Sequence, residues 1–263
     1  MVRIATLILA LLVPSQGAAA QCFQRVDRAD RLTGRVVDAE ELFNNLHEVV
    51  RDIGKYETTD AYAQYLSRLH IMHPWMKDTL IVFGRAPYES YDPDRSLLTL
   101  GRPILKVATS WGFAYPGKSR QIPGYSVSIS DWYQAAIYST GRNENLGTYK
   151  ASNAMGATVV VSKERTIVYG LLPLGLDRDD CALFQPVLRL DPEDAQRYEE
   201  ELLFACEFVL AHPYWAIAYD RIEPKIDRPT DAEFIRYLVV GRLLRLHVVA
   251  PNGRVLATYV PKR

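Results

Sequence analysis

The sequence lacks an excess of charge of either sign. Its 263 residues include 31 basic and 31 acidic side chains, so the formal net charge is zero. Domains that bind nucleic acid usually carry a basic patch, and disordered tails usually carry charged or low-complexity blocks. The composition therefore argues against a nucleic-acid partner and against long disordered segments, and it is typical of ordinary globular proteins.

Long hydrophobic runs are missing beyond the first twenty residues. At the N-terminus, Arg3 precedes the apolar run 4–13, and small residues occupy 17–20. This arrangement is typical of a secretory signal peptide, and the apolar run is too short to cross a bilayer. We expect residues 1–20 to be a signal peptide cleaved after Ala20. The mature chain is then predicted to be soluble, without a transmembrane anchor, in the periplasm or outside the cell.

Cysteine is scarce, with three residues at positions 22, 181 and 206. A chain of this length does not need disulfides to fold, but an oxidising compartment favours one bridge and leaves one thiol over. We expect Cys181 to pair with Cys206, because Cys22 would lie next to the mature N-terminus, where chains are often mobile. The alternative for Cys206 is a buried free thiol in a helix.

Two amphipathic helices are predicted near the start of the mature chain. Residues 38–53 and 60–72 each repeat apolar side chains at the spacing of one helix face, with Asp38 and Thr59 as N-caps. Pro74 prevents continuation of the second helix. We expect the two helices to form a helical hairpin.

Prolines and glycines concentrate between residues 84 and 124, with five of each. We interpret this range as a mostly irregular segment that contains one strand, near residues 104–111. Long irregular segments inside compact domains are often functional. The segment is therefore either a binding loop or a domain boundary.

Strand signals dominate the second half of the chain. Residues 157–161 and 166–172 flank a polar tetrad and predict a β-hairpin, and residues 243–249 and 255–259 predict a second one across Asn252-Gly253.

A further helix is indicated between these hairpins, where Asp191 and Pro192 form a typical helix start. Residues 202–211 are so apolar that they could form a buried helix or a buried strand. Taken together, the elements predict an α+β fold: an N-terminal helical hairpin, then mixed antiparallel β-hairpins with one further helix. We expect residues 21–263 to form a single domain.

One string matches the P-loop pattern letter by letter, from Gly112 to Ser119. A nucleotide-binding P-loop needs a helix to begin at its lysine and serine, so that the helix N-terminus faces the phosphates. Pro123 and Gly124 stop any such helix before its second turn. We therefore interpret the string as a turn between strands and not as a nucleotide site.

Histidines offer a possible metal site. His70 and His73 lie three residues apart near the end of the second predicted helix, and His47 or a carboxylate could supply a third ligand. The other interpretation is structural: His73 caps a helix end, where a partly positive imidazole suits the helix dipole.

Aromatic side chains cluster in and beside the irregular segment. Trp111, Tyr115 and Tyr125 are our candidate ligand-binding residues, since aromatic rings can stack on a ligand, although the same rings could simply cover the core.

The sequence identifies neither a ligand nor a cofactor. The leading functional hypothesis is an exported, non-catalytic binding or accessory module that recognises an unknown ligand or envelope protein. The alternative is an exported hydrolase, possibly metal-dependent through His70 and His73.

Overall fold

The protein was analysed as a computed structural model, which describes residues 22–26, 31–107, 113–120, 122–125, 134–152, 156, 158–176, 181 and 184–262. The expected signal peptide and its cleavage site lie outside these residues and stay predictions.

The fold is mostly β rather than α+β, since strands account for 52% of the described residues and helices for 18%. The helices are α1 (Ala39–Val49), α2 (Thr59–Met72) and α3 (Pro192–Tyr198), with a 3-10 turn at Pro74–Lys77. The strands, in chain order, are β1 (Phe23–Val26), β2 (Arg35–Val36), β3 (Thr79–Arg85), β4 (Tyr88–Asp92), β5 (Leu97–Leu100), β6 (Leu105–Val107), β7 (Phe113–Ala114), β8 (Gln134–Ser152), β9 (Thr158–Pro173), β10 (Val187–Arg189), β11 (Leu203–Ile222), β12 (Thr230–Val249) and β13 (Val255–Pro261).

Ten strands of the described chain form one mixed sheet in which β2, β3, β11, β12, β9, β8 and β6 follow one another. Strand β7 also pairs with β11, and β13 links β12 to β1. The hairpins β8–β9 and β11–β12 are antiparallel, and they meet where β9 runs parallel to β12. Strands β10, β5 and β4 form a separate three-stranded sheet.

The large sheet curls until β3 touches β8. The Ser139 hydroxyl on β8 donates a hydrogen bond to the Phe83 carbonyl on β3. At the same contact, a Cβ atom on Gly84 would overlap the Tyr138 carbonyl oxygen. A glycine at position 84 is therefore what allows the two backbones to approach.

The inner face of the curled sheet carries the main core, which α1 covers. The ring of Phe43 on α1 lies 4.9 Å from Tyr237, and 6.2 Å from both Tyr169 and Trp215. Alternation along each strand places these large side chains on one face, as expected for a half-buried sheet.

The expected helical hairpin is wrong, although both helices form close to the predicted positions. Helix α1 packs on β8, β9, β11 and β12, and α2 packs on the 3-10 turn and into the same core. The Tyr62 and Tyr65 hydroxyls of α2 donate to the carbonyls of Arg51 and Val49 at the end of α1, while the apolar face of α1 packs on the sheet. Thr58, one residue before the predicted cap, accepts the capping hydrogen bond of α2 from Ala61.

Several strand predictions also need correction. Residues 162–165 continue through β9 instead of turning, because Lys163 and Arg165 form ion pairs with Glu233 on the neighbouring β12. The described part of the segment 84–124 contains β4, β5, β6 and β7 rather than the single strand expected near residues 104–111, and just over half of it lies outside strands.

Other predictions are confirmed. The ambiguous stretch 202–211 is largely strand, within β11, and residues 243–249 pair with 255–259 as expected. Helix α3 begins after Asp191, whose carboxylate accepts a hydrogen bond from the Asp194 amide.

The disulfide joins Cys22 to Cys181, with 5.1 Å between their Cα atoms, so the expected Cys181–Cys206 bridge is wrong. The segment around Cys22 is held in place: β1 pairs with β13, and the Cys22 carbonyl accepts a hydrogen bond from the Lys262 amide. Cys206 is a free, buried thiol in β11 rather than in a helix, and burial raises its pKa to about 12. Its side chain is packed in the main core.

We expect a Cys22→Ser, Cys181→Ser variant to lose about 3–5 kcal/mol of unfolding free energy, because the bridge closes a loop of 159 residues in the unfolded chain. Urea unfolding of the variant and of the reduced wild type would measure this loss. The two should agree, and a variant as stable as the oxidised wild type would contradict the assignment.

We expect Gly84→Ala to destabilise the protein by about 1–3 kcal/mol, since the added methyl overlaps backbone that cannot easily move. Gly54→Ala is the matched control, because a Cβ there meets Glu57 atoms at an ordinary 3.4 Å. Thermal unfolding of the two variants should differ clearly. Equal melting temperatures would show that β3 and β8 do not approach as described.

Candidate functional site

A groove lies on the outer face of the sheet where β3 approaches β8, and we call it the sheet groove. It consists of two adjoining cavities of about 370 and 260 Å³, which share Leu105, Tyr138 and Val168. The larger cavity is also lined by Thr166, Phe234 and Arg236, and the smaller one is lined by Arg85, Pro87, Arg102, Pro103, Ser139, Thr140, Gly141 and Phe204.

Strand pairing positions the side chains of the larger cavity. In register, Phe234 lies opposite Thr166 and Arg236 lies opposite Val168. Because side chains alternate along a strand, these residues point outward while Tyr237 points into the core. The result is an apolar floor with one guanidinium group beside it.

The Arg236 side chain has a hydrogen-bond donor without a partner. Its Nη1 atom is buried and has no hydrogen-bond partner. The guanidinium lies beside the Tyr138 hydroxyl and acts to lower its pKa, and it is 5.8 Å from the Phe234 ring. None of the described residues that line the sheet groove is acidic. An unpaired buried donor on a charged group is costly, and the side chain that carries this donor lines the sheet groove.

Tyr138 can act as a donor in the same cavity. Burial raises the pKa of its hydroxyl, and this effect outweighs the opposing charge and hydrogen bond of Arg236. The hydroxyl is therefore protonated at neutral pH, and its proton remains available to an acceptor.

A second unusual region is a bulge in the middle of β11. Leu210 lies opposite Gly241 and Trp215 lies opposite Val239, so the residues 211–214 protrude from the ladder. Tyr214 has a φ angle of +73°, which is uncommon for a residue with a side chain. Bulges and such backbone angles are frequent near functional sites.

The bulge brings together His70, Tyr125, His212 and Tyr214, which we call the His–Tyr cluster. The Tyr214 hydroxyl lies 3.3 Å from Nε2 of His70, and the rings of Tyr125 and His212 are 5.3 Å apart. Both ring nitrogens of His212 and Nδ1 of His70 are buried without a hydrogen-bond partner. Burial lowers the pKa of His212 to about 4 and raises that of Tyr214 to about 12. Both side chains are therefore neutral at pH 7.

In a third cluster, a hydroxyl, an imidazole and a carboxylate are hydrogen-bonded in the same sequence as in a catalytic triad; they belong to Thr258, His247 and Glu207. His247 Nδ1 lies 2.9 Å from the Thr258 hydroxyl, and its Nε2 lies 3.2 Å from the Glu207 carboxylate. Burial raises the pKa of Glu207, but bonds from Thr33 and His247 and the charge of Arg245 outweigh that effect and hold the pKa below its ordinary value. Thr258 is 1% exposed and His247 is fully buried. A substrate has no access to this hydroxyl, so the cluster joins strands.

The proposed metal ligands take different partners. His70 contacts Tyr214, whereas His73 caps the end of α2 and its ring lies 6.4 Å from that of Trp75. Within the described part of the chain, no group of three or more His, Cys, Asp or Glu residues is arranged to hold a metal ion. His47 is exposed, and its ring lies 5.8 Å from that of Phe43 and 4.7 Å from that of Trp215.

The three candidate ligand-binding aromatics are not shown at one site. Trp111 lies outside the described residues. Tyr125 belongs to the His–Tyr cluster, and Tyr115 packs beside Phe113 with the Lys118 ammonium 5.9 Å from its ring.

The P-loop-like string forms a turn in its described part, residues 113–119. The Gly117 amide donates to the Asp52 carboxylate at 2.7 Å, with a φ angle of +79° that favours glycine. The Lys118 ammonium donates to the Phe113 carbonyl at 2.6 Å. Across residues 113–120 and 122–125 no helix follows. The glycine and the lysine thus fasten this turn to itself and to the loop after α1.

Sequence reasoning missed Arg236, Tyr138 and His212. A signal for Arg236 was available, because it is the one charged residue in the otherwise apolar and aromatic run 234–240. A charged side chain at such a position is informative when it is half-buried. Nothing local indicated His212, because its neighbours in the cluster come from distant parts of the chain.

Comparisons with protein-family models, with curated proteins and with solved structures gave no match. None of the described helices is long and apolar enough to cross a membrane. The geometry of the sites therefore carries the functional argument.

His212 makes stability depend on pH. Its folded pKa, about 4, lies below the ordinary value of 6.5, so the folded state takes up this proton less readily than the unfolded chain. The stability that the unprotonated His212 contributes is fully present above the unfolded pKa of 6.5, and it is lost as the pH falls toward 4. We expect it to amount to about 2 kcal/mol, allowing for partial solvent screening.

The measurement is urea unfolding between pH 7 and pH 4 for the wild type and for His212→Phe, which keeps a ring and removes the titrating nitrogens. The variant should lose less stability on acidification, and His73→Gln should follow the wild type. Identical pH profiles for the wild type and His212→Phe would contradict the role of His212.

Proposed function

We propose that this protein is an exported, non-catalytic binding module that holds a small ligand with an anionic group and an apolar body in the sheet groove. The observation that carries the proposal is the buried, unpartnered Nη1 atom of Arg236 in a groove whose described lining has no acidic residue. Charge-assisted hydrogen bonds from arginine to carboxylate or a similar anion are among the strongest polar contacts in proteins.

The rest of the larger cavity fits such a ligand. Leu105, Val168 and Phe234 supply an apolar surface, and the Tyr138 hydroxyl adds a second donor next to the guanidinium. Binding sites for small molecules are commonly apolar concavities with a few placed polar groups, and their volumes are commonly about 300–1,000 Å³. The larger cavity, at about 370 Å³, lies within this range.

A binding role rather than catalysis is supported by the state of the other polar clusters. The hydroxyl of Thr258 is sealed in the core beside His247. Burial keeps His212 and Tyr214 neutral over the physiological range, away from the pKa near 7 that suits proton transfer.

Export is supported by two observations. Residues 1–20 have the charged start, apolar run and small residues of a signal peptide. The Cys22–Cys181 bridge is the kind of bond that persists in oxidising compartments such as the periplasm or the extracellular space.

The test is a fluorescence titration with 1-anilinonaphthalene-8-sulfonate, an aromatic sulfonate whose emission rises in apolar surroundings. We expect Arg236→Gln to weaken its binding about 10-fold or more, because one charge-assisted hydrogen bond contributes about 1.5–3 kcal/mol. Arg236→Lys should give an intermediate affinity, since it keeps the charge without the second donor nitrogen.

Arg242→Gln is the matched control, because Arg242 is an exposed arginine on the same strand, outside the sheet groove. Near-UV circular dichroism should be unchanged in every variant, which separates groove binding from binding to loosened protein. Equal affinities of the wild type and Arg236→Gln would contradict the proposal.

A further inference from the structure

We infer that the ligand of the sheet groove carries an anionic group at each end, separated by an apolar chain. This inference rests on the proposed function and narrows the class of ligand. It follows from the distribution of charge along the groove. The larger cavity contains Arg236, and the smaller one contains Arg85 and Arg102. Leu105 and Val168 lie where the two cavities join.

The first end of the groove is defined by Arg236, with its buried Nη1 atom, and by the Tyr138 side chain in the same cavity. The second end is defined by Arg85, at the end of β3, and by Arg102, in the loop before β6. Leu105 and Val168 line both cavities and form the apolar connection between them.

The two arginines of the second end are available to an anion. Arg85 forms an ion pair with Glu200 at 3.7 Å, in which the two side chains are 69% and 81% exposed. Such exposed pairs contribute little and can exchange partners. No described acidic side chain pairs with Arg102, whose side chain also lines the cavity.

The register of the sheet gives the distance between the ends. Arg236 lies opposite Val168, and Val168 lies opposite Gly141, so the path crosses from β12 through β9 to β8. Two steps between neighbouring strands span about 10 Å. Gly141 lines the second cavity together with Arg85 and Arg102. The backbones at the two ends of the groove are therefore about 10 Å apart, and we choose an extended decanedioate chain as a probe on this scale.

The apolar middle favours a hydrocarbon spacer over a polar one. Val168 covers the backbone of Gly141, where an added Cβ would lie 2.7 Å from the valine Cγ1. Each methylene group that is buried on this surface strengthens binding through the removal of apolar area from water. Among the three described side chains that the two cavities share, only Tyr138 carries a polar group, so a polar spacer would lose water there and gain few hydrogen-bond partners.

The experiment is competition against bound 1-anilinonaphthalene-8-sulfonate by decanedioate and by decanoate, which have the same chain length and differ in one carboxylate. We expect the wild type to bind decanedioate about 10-fold or more tightly than decanoate, since the second carboxylate gains charge-assisted hydrogen bonds. In the Arg85→Gln, Arg102→Gln variant, the preference for decanedioate should be lost, so that decanedioate and decanoate bind with equal affinity.

Both substituted arginines are exposed, so the double variant should keep the melting temperature of the wild type. Arg95→Gln, at another exposed position outside the groove, is the matched control and should keep the preference for decanedioate. Equal binding of the two acids by the wild type, or a preference that survives the double substitution, would overturn the inference.

Failure of this inference and failure of the proposed function give different results. If the dye binds through Arg236 but neither acid displaces it, or both displace it equally, the groove binds an anion and the two-ended ligand is wrong. If dye binding is independent of Arg236, the proposed function itself is wrong.

Discussion

The parallel pairing of β9 with β12 is the constraint on which the rest of the structure depends. It joins two long antiparallel hairpins into one surface and sets the register of both faces at once. On the inner face, it stacks Tyr169 on Tyr237 with ring centroids 5.1 Å apart, where α1 packs. On the outer face, the same register places Arg236 beside Val168. If β12 shifted by one residue along β9, side chains of the core face would lie on the groove face. The register of this one strand pair therefore determines the residues of both the core and the sheet groove.

The polar half of the sheet supports this pairing. Arg165 on β9 forms an ion pair with Glu233 on β12 at 2.9 Å, and Arg221 on β11 pairs with the buried Asp231 at 2.8 Å. The paired charges neutralise one another across adjacent strands, which lets strands of up to 20 residues extend beyond the apolar core. Arg236 differs from these arginines, because it faces aromatic and aliphatic side chains and retains an unpaired donor.

The sequence correctly predicted those elements that depend on interactions between residues close together in the chain. The caps at Asp38 and Asp191, the helical stripes and the Asn252-Gly253 turn depend on residues a few positions apart, and all of them correspond to observed elements. The predictions were wrong where pairing with a strand distant in the sequence determines the local structure. The polar tetrad 162–165 has the composition of a turn, but Glu233 on β12 makes it part of a strand. The candidate site followed the same division: His70 and Tyr125 were identified singly, whereas Arg236 acquires its meaning only from the neighbouring strands β9 and β8.

The disulfide has a consequence for the order in which the chain must mature. In an unfolded chain, Cys181 meets Cys206, about 25 residues away, more often than it meets Cys22, 159 residues away, and the difference in closure entropy is about 1.6 kcal/mol. Cys22 is held by the pairing of β1 with β13, and β13 is the last strand of the chain. We therefore expect the native bond to form after β1 has paired with β13 and β11 has buried Cys206, so that strand pairing selects which thiols are joined.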